Sequence, residues 1–301
     1  MSSWLPKSAA GRRWLGLAPS YVVIGIFMLA PMIIMGVFSF LEANPYGGVK
    51  PVGSFAAYIK LILEYDLDDS LVFNPGYLNI IRRSFQLSIM ATILCLFFGF
   101  PVAYYITLQP ENKRNFYIYL ITIPFWTNLL IRTFAWIIIL GRGGVIEIPL
   151  LELGIIEKSL HMMYSDGAIA IGLTYSYLPL MVLPIYASLE KLDFRLLEAA
   201  SDLYASRWET MAKVVIPLCK PGIIAGCILV FIPCLGAFIA PNLLGGGKKL
   251  MLGSLVQFQF SSARNWPFGA ALSMLLLAAV VISLVFYARS AKKRALIEGD
   301  A

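Results

Sequence analysis

Apolar residues along this chain gather into six long blocks: Leu17–Leu41, Ser84–Leu108, Phe116–Leu140, Gly167–Leu189, Gly222–Leu244 and Phe268–Ala288. Each exceeds the roughly 20 residues that a helix needs to cross a hydrocarbon core about 30 Å thick. Barrel strands need only about 10 residues of alternating polarity, and these blocks do not alternate. In lipid every backbone N–H and C=O must be satisfied within the protein, so such blocks fold as helices. The pattern predicts an all-α integral membrane protein with six transmembrane helices. The first block exceeds the roughly 7–15-residue core of a cleavable signal peptide and no A-x-A site follows it, so it counts as a span.

Composition agrees. Apolar residues make up 59% of the 301 and charged residues 14%, against about 45–50% and 25% in soluble domains. A nucleic-acid reader and a secreted disulfide scaffold are excluded. The net charge of +7 reads as topology, because Lys and Arg collect on the cytoplasmic flanks of spans. Lys7, Arg12 and Arg13 precede the first span; Arg289, Lys292, Lys293 and Arg294 follow the last. Residues 1–16 and 289–301 are therefore predicted as cytoplasmic segments around a membrane domain at 17–288, although Arg82 and Arg83 run against the bias. The connections 42–83 and 141–166 fall outside. The first carries Glu64, Asp66, Asp68 and Asp69, with an interfacial helix expected over Phe55–Leu63 on a face formed by Tyr58, Ile59 and Ile62.

Classical chemistry is sparse. Cys95, Cys219, Cys227 and Cys234 form no C-x-x-C pair and read as small hydrophobes; His161 has no Cys or His near it. No metal site is expected. Gly245–Lys249 lacks the upstream glycine of a phosphate loop and reads as a glycine turn, so any ATP chemistry belongs to a partner.

The inner connection 190–221 carries the most information. It reads EKLDFRLLEAASDLYASRWETMAKVVIPLCKP, with no glycine and no proline before Pro217. Leu196, Leu197, Ala200, Leu203, Tyr204 and Met211 recur at helical spacing, while Glu198, Asp202 and Glu209 mix with Arg195, Arg207 and Lys213 elsewhere. One amphipathic helix is expected. It either lies on the membrane surface or docks into a groove on a soluble partner.

Glu198-Ala199-Ala200 followed at the matching distance by Val214-x-Ile216-Pro217 resembles the EAA signature of permease subunits in ATP-binding-cassette importers. Ile123–Trp136 (IPFWTNLLIRTFAW), Phe231-Ile-Pro, Leu243–Gly246 and Arg264–Gly269 (RNWPFG) are similar to the spermidine/putrescine-type permeases of that family. The resemblance implies a type I importer permease fold in a bacterial inner membrane. It also implies a coupling loop, with Glu198, Ala199, Ala200, Asp202, Tyr204, Arg207 and Pro217, that inserts into an ATPase subunit. A second permease subunit, two ATP-binding subunits holding ATP and Mg, and a soluble substrate-binding protein would complete the importer. No cofactor falls to this chain. Tyr204 stands where the family usually has glycine; if that position needs a positive φ, tyrosine costs on the order of 1 kcal/mol or more.

Arg132 is the one ionisable residue well inside a span. It either binds an anionic substrate group or holds helix-end carbonyls or a partner's carboxylate. Pro124, Pro179, Pro184, Pro233, Gly236 and Pro241 interrupt spans three to five, as ordinary kinks or as broken helices lining a cavity. Trp126, Tyr175 and Phe238, with Phe125 and Tyr177, offer cation–π faces for an amine or serve as packing. No Asp or Glu lies inside a span, and Asn242 stands where polyamine permeases often have an acid, so opines and amino-acid derivatives stay open beside a polyamine. A secondary transporter would usually carry intramembrane carboxylates. A membrane enzyme would need clustered His, Asp or Glu.

Overall fold

The computed structural model describes residues 9–65, 71–156, 162–193 and 195–299. Lys7, Asp66, Asp68, Asp69 and His161 lie outside them. The chain groups into two compact units, residues 1–75 with 256–301, and residues 76–255.

In the first unit α1 (Ala9–Ile24) passes through a π turn at Gly25–Leu29 into α2 (Ala30–Ser39), and Leu17–Ser39 form one apolar stretch of spanning length. Pro31 has no N–H to donate and its ring crowds the carbonyl four residues back, so the helix widens just ahead of it. Two small hairpins come next. β1 (Leu41–Ala43) pairs antiparallel with β2 (Val49–Gly53), and after α3 (Ala56–Ile59), β3 (Leu63–Tyr65) pairs with β4 (Leu71–Phe73). The helix expected over Phe55–Leu63 is thus a single turn, because Asn74 N–H donates to the Ile62 carbonyl and draws that end into the second hairpin. Ile59 and Ile62 are exposed, but the Tyr58 hydroxyl donates to Ser39 Oγ at 2.9 Å, which in turn donates to the Gly36 carbonyl. The last helix of the chain, Trp266–Gly299, packs on α2: the Phe38 and Trp266 rings stack at 6.4 Å and Met274 meets Gly36.

The second unit is built on three helices, α4 (Gly76–Thr107), α8 (Asp166–Leu189) and α11 (Ile216–Gly236). α8 sits innermost, with Ile169, Leu173, Met181, Ile185 and Leu189 fully buried. Its Ser165 cap accepts from Ala168 N–H at 3.0 Å. Gly222 lets α11 approach closely, since a Cβ there would collide with the Pro184 carbonyl and Ser188 Oγ. Cys95, Cys219 and Cys234 are buried and free in this core, as small hydrophobes.

Around that core the third span departs from expectation. It is two helices, α5 (Glu111–Trp126) and α6 (Leu129–Leu140), bent by 90°. The fifth also ends early: α11 stops at Gly236, and after Ala237 and Phe238 a separate α12 (Ile239–Leu244) begins. α7 (Glu147–Glu152) lies between α6 and α8. α9 (Arg195–Asp202) lies in the connection expected over 190–221, but α10 (Arg207–Thr210) runs on through a π turn at Met211–Val215 into α11, so the helix of the fifth span begins at Arg207 and not at Gly222; α13 (Leu252–Ser261) follows α12, and α14 is the terminal helix Trp266–Gly299. Among the described residues five helices are long and apolar enough to span a membrane, and the bent pair α5–α6 makes six if it is one broken span.

Candidate functional site

Two places stand out, and each begins with an interrupted helix. At the first, α5 ends where Thr127 turns extended (φ −71°, ψ 151°) and its hydroxyl donates back to the Pro124 carbonyl at 2.6 Å. Asn128 then caps α6 by accepting from Leu130 N–H at 2.8 Å. α11 ends likewise, with Ala237 extended (φ −65°, ψ 135°). Leu129 and Phe238, one from each break, line a cavity of about 110 Å³ together with Leu173, Ser176 and Tyr177 of α8.

Arg132 bonds to backbone carbonyls on two elements. The side chain is buried; Nη2 donates to the carbonyls of Thr127 (3.1 Å) and Phe125 (3.4 Å), and Nη1 donates to the Ser176 carbonyl at 3.4 Å. The carbonyls at a helix end have no partners within it and carry partial negative charge, so a guanidinium there satisfies acceptors and opposes the dipole. The rigid planar fork of arginine, with its five donors, suits three carbonyls on two elements at once. Tyr177 plays the matching part for the other break, its hydroxyl donating to the Pro233 carbonyl in the last turn of α11 at 3.5 Å. Both breaks are thereby tied to α8. Arg132 thus braces backbone, and its Nε is buried with no hydrogen-bond partner among the described residues.

The second place is the inner connection. A single helix is the sequence expectation, and the chain breaks it instead. α9 ends with Tyr204 at φ +59°, its N–H donating to Ser201 O and the N–H of Ala205 donating to Ala200 O, both at 3.0 Å. These are the paired bonds of a Schellman ending, whose left-handed residue is ordinarily glycine. Tyrosine here occupies the conformation for which glycine is suited. Ser206 restarts the helix through a capping box: its Oγ accepts from Glu209 N–H (3.3 Å), and Glu209 Oε2 accepts from Ser206 N–H (3.0 Å). Lys213 closes on Glu209 at 3.2 Å. At this break Leu203, Tyr204 and, from the first turn of α10, Trp208 project with 82%, 97% and 84% of their surface exposed. No described residue of this chain covers the tip.

The expected residues divide accordingly. Glu198, Ala199, Asp202, Tyr204, Arg207 and Pro217 are exposed on the 190–221 connection, and Ala200 is half-buried. Phe238 lines the junction cavity, and Arg132 bonds to the carbonyl of Ser176, another lining residue. Trp126, 85% exposed, turns away from it, Tyr175 packs edge-on against Trp136 at 5.5 Å, and Asn242 sits one turn into α12 without lining the cavity. Leu203 as part of an exposed tip, and Trp208 altogether, are not evident from the sequence pattern. The Ser206-x-x-Glu209 spacing is the signal that marks the break.

No protein-family model matches the chain. Among curated proteins, the spermidine/putrescine transport system permease proteins PotB of Salmonella typhimurium and of Escherichia coli are each 38% identical to it over 89% of its length and 89% and 93% of theirs. PotB of Haemophilus influenzae is 37% identical over 88% of this chain and 89% of its own. Among solved structures, a chain of a bacterial alginate ABC transporter in complex with an alginate pentasaccharide-bound periplasmic protein matches with a TM-score of 0.64 at 16% identity, covering 91% of both chains. The chain therefore belongs to the PotB family of ABC transporter permeases, multi-pass membrane proteins of the type I importer fold that are not themselves enzymes.

Proposed function

We propose that this permease forms half of the translocation path for a polyamine such as spermidine or putrescine, or a related amine, and that the α9–α10 segment couples it to ATP. The observation that carries the coupling role is the tip at Leu203, Tyr204 and Trp208: three large side chains held out by two capped helices, flanked by exposed Glu198, Asp202 and Arg207. Apolar anchors ringed by charge are the anatomy of a protein docking site. The partner is an ATP-binding subunit, one of two that hold ATP and Mg. A second, related permease supplies the other half of the path, and a soluble binding protein delivers substrate at the opposite end. The relatives at 38% identity support polyamine as substrate, and the junction of breaks on α8 offers aromatic faces and carbonyls to an ammonium. The α5–α6 pair counts as one span, and both termini and the α9–α10 tip face the cytoplasm.

Transport proceeds by alternating access. ATP binding draws the two coupling segments together and tips the bundle outward-open; hydrolysis lets it return. Glu198→Arg in the assembled importer reverses a charge beside the tip without touching the core. ATP-driven uptake is expected to be lost while the chain stays in the membrane. Unchanged uptake would contradict the docking role.

A further inference from the structure

Four cations gather at one end of the second unit. Arg83 Nε on α4 and Lys249 Nζ, from the turn after α12, both lie against Asp166 Oδ1 at the start of α8, at 3.6 and 3.3 Å. Arg82 and Lys248 adjoin them in sequence, and both are exposed. The two arms are held in place. Ser84 Oγ accepts from Leu252 N–H at 2.8 Å, which joins α4 to the start of α13. Gly246 and Gly247, at φ +64° and +69°, turn the chain out of α12, and Gly247 N–H donates to the Asn242 carbonyl at 3.1 Å. Residues other than glycine rarely take that conformation, so the glycine run fixes where the two lysines stand.

The charges do not balance. Among the described residues Asp166 is the only carboxylate that pairs with any of the four. It stands in the first turn of α8, whose N-terminus carries partial positive charge of its own. One carboxylate therefore answers four cations and a helix dipole. α8 has 24 residues and runs about 36 Å from this cluster toward the α9–α10 segment, at about 1.5 Å per residue. On the reading of the chain as an importer permease, on which this inference rests, that segment is cytoplasmic and the cluster lies at the outer end. Lys and Arg collect on cytoplasmic flanks of spans, so four gathered on the outer flank run against the bias.

We infer that this basic patch is the docking surface for the importer's soluble binding protein, which meets it with an acidic rim. An amine substrate is repelled by the patch, so the patch stands outside the path. A small anion wants a concave site, whereas cations spread over exposed surface suit a broad, oppositely charged partner. Exposed charge of this kind acts at a distance: it steers a soluble protein toward the surface and sets its register on arrival. The Asp166 pairs limit how far Arg83 and Lys249 can swing, while Arg82 and Lys248 extend into solvent. The length of α8 exceeds a hydrocarbon core of about 30 Å. Its first turn therefore reaches the aqueous side, where a soluble protein can touch it.

Surface plasmon resonance tests this, with the complete importer held in lipid nanodiscs and its soluble binding protein passed over it. The double variant Arg82→Glu, Lys248→Glu reverses the two exposed charges and leaves the Asp166 pairs alone, so it is expected to melt with wild type. It should associate at least about tenfold more slowly than wild type at low salt, and Arg82→Gln with Lys248→Gln should fall between the two. Raising salt from about 50 to about 200 mM should slow wild type several-fold and should not slow the reversed variant. Equal association rates, or a wild-type rate indifferent to salt, would overturn the patch. So would equal rates beside a melting temperature that phosphatidylglycerol raises in wild type alone, which would assign the patch to lipid headgroups. ATP-driven polyamine uptake by the wild-type importer reads the proposed function separately. Uptake with charge-independent docking removes the patch alone; charge-dependent docking without uptake upholds the patch and removes polyamine as the transported solute.

Discussion

Tyr204 combines a strained backbone with an almost fully exposed side chain. A positive φ costs an L-residue about 1 kcal/mol or more, and branching at Cβ makes it worse. Tyr204→Val is therefore expected to lower the melting temperature of the purified chain, by the equivalent of about 1 kcal/mol, whereas Tyr204→Gly should not lower it by a comparable amount; thermal unfolding in detergent checks both. The departure from the family's glycine is visible in the sequence, and the geometry supplies the reason glycine is usual there. Arg132 makes the complementary lesson. Its type and depth are legible, but whether it serves substrate or backbone depends on carbonyls at Phe125, Thr127 and Ser176 that only the bend brings within reach. Arg132→Met should destabilise the chain by about 2–3 kcal/mol, and Arg132→Lys by part of that, since lysine lacks the planar fork. An unaltered melting point for Arg132→Met would contradict the bracing role.

Among the elements, six spans can be read from hydropathy but their interruptions cannot. Pro124, Pro179, Pro184 and Pro233 look alike in sequence, yet α8 runs through two of them while the third and fifth spans break a few residues after the others. The difference lies in the residues that succeed each proline and in the packing around it. Thr127 and Asn128 supply local bonds that end one helix and start the next, whereas α8 is enclosed by α4 and α11 and held straight by packing. A second regularity emerges only in the structure: the π turns at Gly25–Leu29 and Met211–Val215 each stand just ahead of a proline, Pro31 and Pro217. The inner connection reads as one continuous helix because its sequence lacks glycine and proline; a Schellman ending and a capping box break it without either. Ser206→Ala should cost about 1 kcal/mol, seen as earlier melting and a proteolytic nick near Tyr204. Gly222→Ala forces α8 and α11 apart and should cost about 1–3 kcal/mol, with less folded protein recovered from membranes.

For the molecule as a whole, α8 is the centre of the second unit, packed between α4 and α11. Its middle braces two broken spans, and its C-terminal end leads into a segment that no described residue covers. Membrane residence, helical class and family can be read from the sequence through the six blocks and the Glu198-Ala199-Ala200 signature. The lining of the junction cavity cannot, because long-range proximity decides it: Phe238 lines it and Trp126 and Tyr175 do not. The central claim is that the α9–α10 tip grips an ATP-binding subunit. A photoreactive amino acid placed at Tyr204 and activated in intact cells tests it directly. The account predicts a cross-linked product that contains the importer's ATP-binding subunit. A product with lipid, or with a protein on the far side of the membrane, would contradict it.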